Sequence, residues 1–237
     1  MIYLYAIVDQ PGTALPSLAG MEDVPLVEVI YQDLAGVCRT FTFENTSDIL
    51  STKQANLWRH ESILEALMTD HTVLPVCFGA VFASESDLLT ILGDKYASFS
   101  ANLGRVRGCV ELSLRITWID EQDLPPWASS PSQPEQPAEK SGKNYMLALQ
   151  KARQREQALC AQIETQTGKF LPALNRLVIE KKSKVSITHN PTLTAAYLLD
   201  AQKVPFFQQE VDQLVAAHSD FHFTLTGPWP AYSFIND

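Results

Sequence analysis

The chain has 237 residues, 46% of them hydrophobic, and a formal net charge of −9. That length suits one large domain or two small ones, and the acidic balance argues against nucleic acid as the main partner, because holding a phosphate backbone normally takes a basic face. The four cysteines, Cys38, Cys77, Cys109 and Cys160, include no C-x-x-C pair, which argues against a zinc site and predicts buried free thiols in a reducing compartment.

The N-terminus, MIYLYAIVDQPG, has no basic segment ahead of its short apolar run. It predicts a first strand over residues 2–8, not a signal peptide. No apolar stretch reaches the roughly 18 residues a membrane span needs, so a soluble cytoplasmic protein is expected. The strand is apolar throughout and therefore expected to be central in its sheet. Pro11-Gly12 ends it. Residues 26–31 and 34–43 read as two further strands, with Asp33 in the turn between them. A helix is predicted from Ser51, whose hydroxyl and Gln54 stand at capping-box spacing. Leu57, His60, Ile63, Leu64, Leu67 and Met68 fall on one helical face.

Residues 72–82, TVLPVCFGAVF, read as a single buried strand with one backbone irregularity near Pro75. Ser84 and Asp87 repeat the capping spacing. Leu88, Leu92, Tyr96, Phe99 and Leu103 then predict a second amphipathic helix, closed around residues 104–108. Residues 110–118 alternate apolar and polar, as in a half-buried strand with one wet face. The predicted N-terminal order is β-β-β-α-β-α-β, an α+β sheet with helices on one side, close to a ferredoxin-like arrangement with an extra strand.

Residues 120–143 break this pattern. Pro125, Pro126, Pro131, Pro134 and Pro137 lie among polar residues, too poor in apolar surface to offset ordering entropy, so the segment reads as a linker. It divides the chain into domains 1–119 and 144–237. A long helix is predicted over 144–167, with Tyr145, Met146, Leu149, Ala152, Leu159, Cys160 and Ile163 as its buried stripe. Residues 174–181 are ambiguous between helix and strand. Residues 185–189 and 195–199 read as strands. Pro205 suits the first turn of a helix whose inner face is Phe207, Val211, Leu214, Val215 and His218. Residues 221–226 form the last strand, and Gly227-Pro228-Trp229-Pro230 forces an extended exit that cannot pair regularly. The C-terminal part is thus expected to be a second small ferredoxin-like α+β unit that opens with the long helix.

Candidate chemistry is sparse. His60-Glu61 opens like a zinc-protease helix, but the sequence is HESIL and Leu64 stands where the second histidine belongs. His218 and His222 are four apart, yet a helix end falls between them. No nucleophile elbow, phosphate loop or dinucleotide fingerprint occurs. The acidic pairs Glu22-Asp23, Asp120-Glu121 and Glu210-Asp212 read as solvated surface, as do the basic clusters at Lys151, Arg153 and Arg155 and at Lys181, Lys182 and Lys184. The aromatic tail stands out. Pro228, Trp229, Pro230, Tyr232 and Phe234 either pack on their own domain or present an anchor to a partner, since Trp and Tyr dominate interface hot spots.

The opening IYLYAIV, the His60-Glu61 helix feeding TVLPVCFGAVF, the strand VELSLRITW, the helix NYMLALQKARQRE and the closing LTGPWPAYSF together resemble the gas vesicle protein F/L family over nearly the whole chain. LPVCFG and GPWPAYSF are the most specific pieces. One departure is Cys77, where the family usually has a basic residue. The resemblance implies a minor structural or assembly protein of the gas vesicle, located at the vesicle in the cytoplasm and supporting buoyancy. It implies association with the hydrophobic main shell protein and other accessory proteins, with no enzymatic activity and no cofactor. Two other readings compete: a cofactor- or metal-binding enzyme, for which His60, His189 or His222 would have to converge on a pocket, and a regulatory module that adds a peptide strand to a sheet edge.

Overall fold

The computed structural model describes residues 1–13, 15, 24–42, 54–118, 171–186 and 192–235, with isolated positions between 146 and 168. The chain is an α+β protein with two sheets. It divides into two compact units, Met1–Glu111 with Pro228–Asp237, and Leu112–Gly227. The division therefore falls inside a strand and not after residue 119, and the C-terminal tail belongs to the first unit. The Pro-rich segment 120–143 lies outside the described residues.

The first sheet is built on β1 (Ile2–Asp9), every residue of which is buried. Beside it lie β2 (Val27–Tyr31) and β3 (Leu34–Thr40), turning through Gln32 at φ 56°. The order is β2-β3-β1-β4, all pairs antiparallel, with β5 also on β1. β4 (Val73–Pro75) and β5 (Val81–Phe82) correct the single strand expected over 72–82. Pro75 sits opposite Ala6 on an edge strand, where its missing N–H costs no ladder bond. The chain then leaves the sheet at residues 76–80, turns at Gly79 with φ 94°, and returns to pair with Ile2 and Tyr3.

A register shift between Leu4 and Ala6 marks a bulge at Tyr5. It lets Tyr3, Tyr5, Ala6 and Val8 all join one core cluster with Ala35, Val37 and with Ile63, Leu64 and Leu67 of α1 (Gln54–Leu67). Burying each of those α1 side chains contributes about 2 kcal/mol. Gly36, between Ala35 and Val37, looks to the opposite face, where a Cβ would stand 3.1 Å from Leu4 and 3.3 Å from Leu88 of α2 (Glu85–Asp94). α1 and α2 thus cover opposite faces of the sheet. The expectation of helices on one side is corrected, and β1 is buried throughout because both its faces are covered. The Ser51 cap falls outside the described residues. The second predicted cap is present, with Ser84 Oγ accepting from the Asp87 backbone N–H at 3.2 Å. The helix expected to run on from there is two, α2 and α3 (Tyr96–Val106), broken at Lys95.

The second sheet has the order β7-β8-β6-β9. β6 is Cys109–Trp118, β7 Glu180–Ser186, β8 Thr192–Asp200 and β9 Phe221–Trp229. β7 starts earlier than expected, and residues 187–190 are outside the described set. Residues 174–181 split between a helical turn, α4 (Pro172–Asn175), and the start of β7. α5 (Val204–Ala217) carries Pro205 in its first turn and buries Phe207, Val211 and Leu214. Val215 is exposed, so the predicted inner face is narrower by that residue. Leu112, Leu114, Ile116, Leu193, Ala195, Tyr197 and Leu199 form the buried face, and the Tyr197 and Phe207 rings meet at 5.0 Å. The described positions between 146 and 165 are helical and exposed, Met146 included, which removes Met146 from the expected stripe. Its other members lie outside the described residues.

Candidate functional site

The excursion at residues 76–80 is tied to β1 and α1 by one buried histidine. His60, placed inward by the apolar stripe of α1, is 1% exposed. Its Nε2 lies 3.0 Å from the Val76 carbonyl and its Nδ1 lies 3.0 Å from the Tyr3 hydroxyl. A carbonyl only accepts, so Nε2 carries the proton and Nδ1 accepts from Tyr3. The Tyr3 oxygen in turn accepts from the Gly79 N–H at 3.1 Å. Every polar atom in this chain of bonds has one defined role, and the histidine is held neutral. Burial pushes its pKa below the ordinary value, partly opposed by the bond to Val76. Burial likewise raises the Tyr3 hydroxyl far above its usual range. Phe78 closes the cluster, edge-on to both Tyr3 and His60.

The C-terminal tail seals the same end of the unit. Tyr232 donates to Glu61 Oε1 at 3.2 Å, one residue along α1 from His60. Burial raises the Tyr232 hydroxyl, with the neighbouring Glu61 charge adding to it, and burial raises the Glu61 carboxyl as well. Ser233 donates twice to the buried Glu111, from its backbone N–H at 2.8 Å and from its hydroxyl at 2.6 Å. Phe234 is fully buried and Pro230 is buried, Tyr232 and Trp229 are half-buried, and Pro228 is exposed. Residues 227–229 also pair as the end of β9, with Gly227 at φ 112°. The segment expected not to pair regularly does pair. Pro230, Tyr232 and Phe234 pack within the first unit, and not on the 144–237 domain in which the tail was expected.

Two other aromatics are more exposed than those of the tail, Phe206 of α5 at 61% and Trp58 of α1. Trp58 is 66% exposed, and Leu57, expected on the buried stripe, is 37% exposed. Trp58 stands one helical turn before Glu61, so it borders the Tyr232–Glu61 contact. Sequence reading passed over it, although a tryptophan on the polar side of an amphipathic helix is the signal that could have marked it. Cys77, at the tip of the 76–80 excursion, is also exposed, and Cys109 is partly so, which corrects the expectation of buried thiols. Cys38 alone of the described cysteines is buried, its pKa pushed up to about 12 by burial.

The other candidates do not converge. His218 caps the end of α5 and His222 lies in β9, while His189, Glu22-Asp23 and Asp120-Glu121 fall outside the described residues. Glu210 and Asp212 lie on α5. Among the described residues no group of three His, Cys, Asp or Glu is placed to hold a metal ion. No helix among them is long and apolar enough to cross a membrane.

What remains is a histidine-locked loop and a stapled tail, which can support a surface. Residues 1–236 match the family model described as gas vesicle synthesis protein GvpL/GvpF. The chain belongs to that family. It is 24% identical over 240 residues to gas vesicle protein F1 of Halobacterium salinarum, covering 99% of this chain and 92% of that one. It is 29% identical to gas vesicle protein L of a Streptomyces species, covering 74% and 66%. Its fold is similar to the crystal structure of GvpF from Anabaena sp. PCC7120, with a TM-score of 0.78 and 20% identity over 100% of this chain and 96% of that one. GvpF from Microcystis aeruginosa gives a TM-score of 0.76 at 18% identity, covering 100% and 99%. The GvpL/GvpF family is one of gas vesicle structural and assembly proteins, not of enzymes, and membership places this chain with the gas vesicle.

Proposed function

We propose that this GvpL/GvpF protein acts in the cytoplasm as a minor structural and assembly protein that associates with the hydrophobic main shell protein, alongside other gas vesicle accessory proteins. A shell subunit with an apolar surface aggregates in water until that surface is covered. A water-soluble partner that covers it needs an exposed apolar anchor on a rigid support and no active site. The observation that carries the reading is Trp58, 66% exposed with Leu57 beside it on α1, next to the Tyr232–Glu61 bond that fixes the tail. Within the tail, Pro228 and the open part of Trp229 are left for a partner, while Pro230, Tyr232 and Phe234 hold the segment in place. We further read the second unit as ferredoxin-like: strand, helix, two strands, helix, strand, with β6 and β8 central.

Capture of the shell protein by immobilised wild type, Trp58→Ala and Trp229→Ala tests the contact. Trp58→Ala is expected to weaken capture about tenfold or more, as hot-spot truncations do. Undiminished capture by both variants would remove this surface from consideration. Probing hard-washed vesicles for the protein then separates a resident of the wall from a transient assembly factor.

A further inference from the structure

Among the described residues helix α5 packs on one face of the second sheet, and the other face carries the exposed Arg115, Lys182 and Lys184, with Glu180 opposite the buried Leu198 at its far end. The register places Lys182 opposite Ala196, Lys184 opposite Thr194 and Ser186 opposite Thr192, all on this face. Thr117 of β6 joins it, its hydroxyl 3.3 Å from that of Thr192. Stepping two residues along antiparallel strands brings Arg115 beside Thr194, and so into one row with Lys184. Arg115, Lys182 and Lys184 are exposed, and Arg115 and Lys184 form no ion pair among the described residues. Lysines on an edge strand such as β7 commonly block unwanted pairing. That explanation does not reach Arg115, which lies on the interior strand β6.

The complementary surface is on the same chain. Unit 1 holds fifteen acidic and six basic residues and unit 2 twelve of each, so the first unit carries the whole net charge of −9. On α2, Asp87, Ile91 and Asp94 are all exposed and stand at i, i+4 and i+7, which sets them on one outward face. The two aspartates are about 10.5 Å apart along the helix axis, at 1.5 Å per residue. Arg115 and Lys184, two strands apart, are separated by about 9.5 Å. We propose that the sheet face of unit 2 opposite α5 is a docking site for a second copy of this chain, whose α2 lies across the strands with Asp87 and Asp94 on the Arg115–Lys184 pair and Ile91 over Thr194. The contact is heterologous, so each copy keeps one free face of each kind and chains of more than two can grow. Two copies of charge −9 repel at long range, but salt screens that repulsion over about 8 Å at physiological ionic strength, and the directly apposed pairs act inside that distance. The interface is small and therefore weak. It is independent of the shell contact, which uses α1.

Sedimentation velocity from micromolar to millimolar protein, at physiological and at high salt, tests the proposal. Wild type is expected to associate at physiological ionic strength, beyond dimer at the highest concentrations, and to dissociate in high salt. Arg115→Glu/Lys184→Glu and Asp87→Lys/Asp94→Lys are each expected to lose association. Mixing the two variants is expected to restore it, because the reversed charges pair. The Ser84 cap survives in the second variant, since it uses the backbone amide of residue 87, and circular dichroism verifies both folds. A wild type that stays monomeric throughout overturns the proposal, as does association that either double variant leaves intact. If the monomeric wild type instead retains a DNA oligonucleotide or phosphatidylglycerol vesicles through Arg115 and Lys184, the face belongs to a different partner and the proposal also falls.

Discussion

Replacing Tyr3 by Phe removes one oxygen from the centre of the first unit and leaves the ring. The contacts of that ring with Tyr5 at 4.8 Å and Phe78 at 6.0 Å survive, and no cavity opens. The cost is therefore polar. Nδ1 of His60, on a residue 1% exposed, loses its donor, and an unsatisfied buried acceptor costs about 1–3 kcal/mol. The Gly79 N–H loses its acceptor too, but Gly79 is half-exposed and water can partly replace it. The sum is about 2–3 kcal/mol, or a fall in melting temperature of about 5–10 °C for a chain of this size. Urea unfolding with an unchanged m-value, read beside a thermal melt, measures it. A change below about 0.5 kcal/mol, the range of an ordinary surface substitution, would refute the hydrogen-bond chain. The same chain has a pH signature. The folded pKa of His60 lies below its ordinary 6.5, chiefly through burial. The unfolded state therefore binds the extra proton first, and the His60 contribution is complete above about 6.5 and is lost as pH falls. His60→Gln should flatten that acid limb relative to wild type, and an identical limb in both proteins would contradict the assignment.

Three further outcomes follow from the same end of the molecule. Glu61 has the opposite linkage: its folded pKa is raised, first by burial, so its charged form weakens the fold as pH rises past the ordinary carboxylate value. Glu61→Gln should therefore gain stability relative to wild type at pH 7 and lose that advantage near pH 4, as read by paired urea titrations. Gly79→Ala forces a side chain onto φ 94° with no steric clash nearby, and should cost about 1–2 kcal/mol from backbone strain alone; a neutral result would mean the 76–80 excursion is not held in this conformation. In the native protein a thiol reagent should label Cys77 quickly and Cys38 only on unfolding, since one is exposed and the other is buried with its pKa near 12. Loss of the fast Cys77 label in Cys77→Ser, and loss of only an unfolding-dependent label in Cys38→Ser, is the expected pattern.

Local signals in the sequence were strong where one short-range rule acts alone. Ser84 and Asp87 capped a helix because a hydroxyl three residues ahead of an amide is enough. Pro205 marked the first turn of α5 for a similar reason. The unbroken apolar run at residues 2–8 implied burial on both faces, although the helices had been expected on one. The candidate site was less legible. LPVCFG was recognisable as a motif, but its conformation depends on Pro75 taking an edge position and on Tyr3 and His60, 57 residues apart, sharing a proton. The tail was read as aromatic and exit-like. Its burial depends on Glu111 and Glu61, which the local sequence does not reveal.

By itself, then, the amino-acid order determined the α+β class, the family resemblance, most helices and strands to within a few residues, and the acidic balance. The class, the elements and the charge follow from periodicity, capping or composition within a short window of chain, and the resemblance from motifs such as LPVCFG and GPWPAYSF. Only the tertiary structure decided that β6 and the tail belong where they do, that Trp58 is exposed, and that Arg115 and Lys184 share a row. Those facts depend on which strands become neighbours, and neighbours in a sheet are chosen by burial summed over the whole chain.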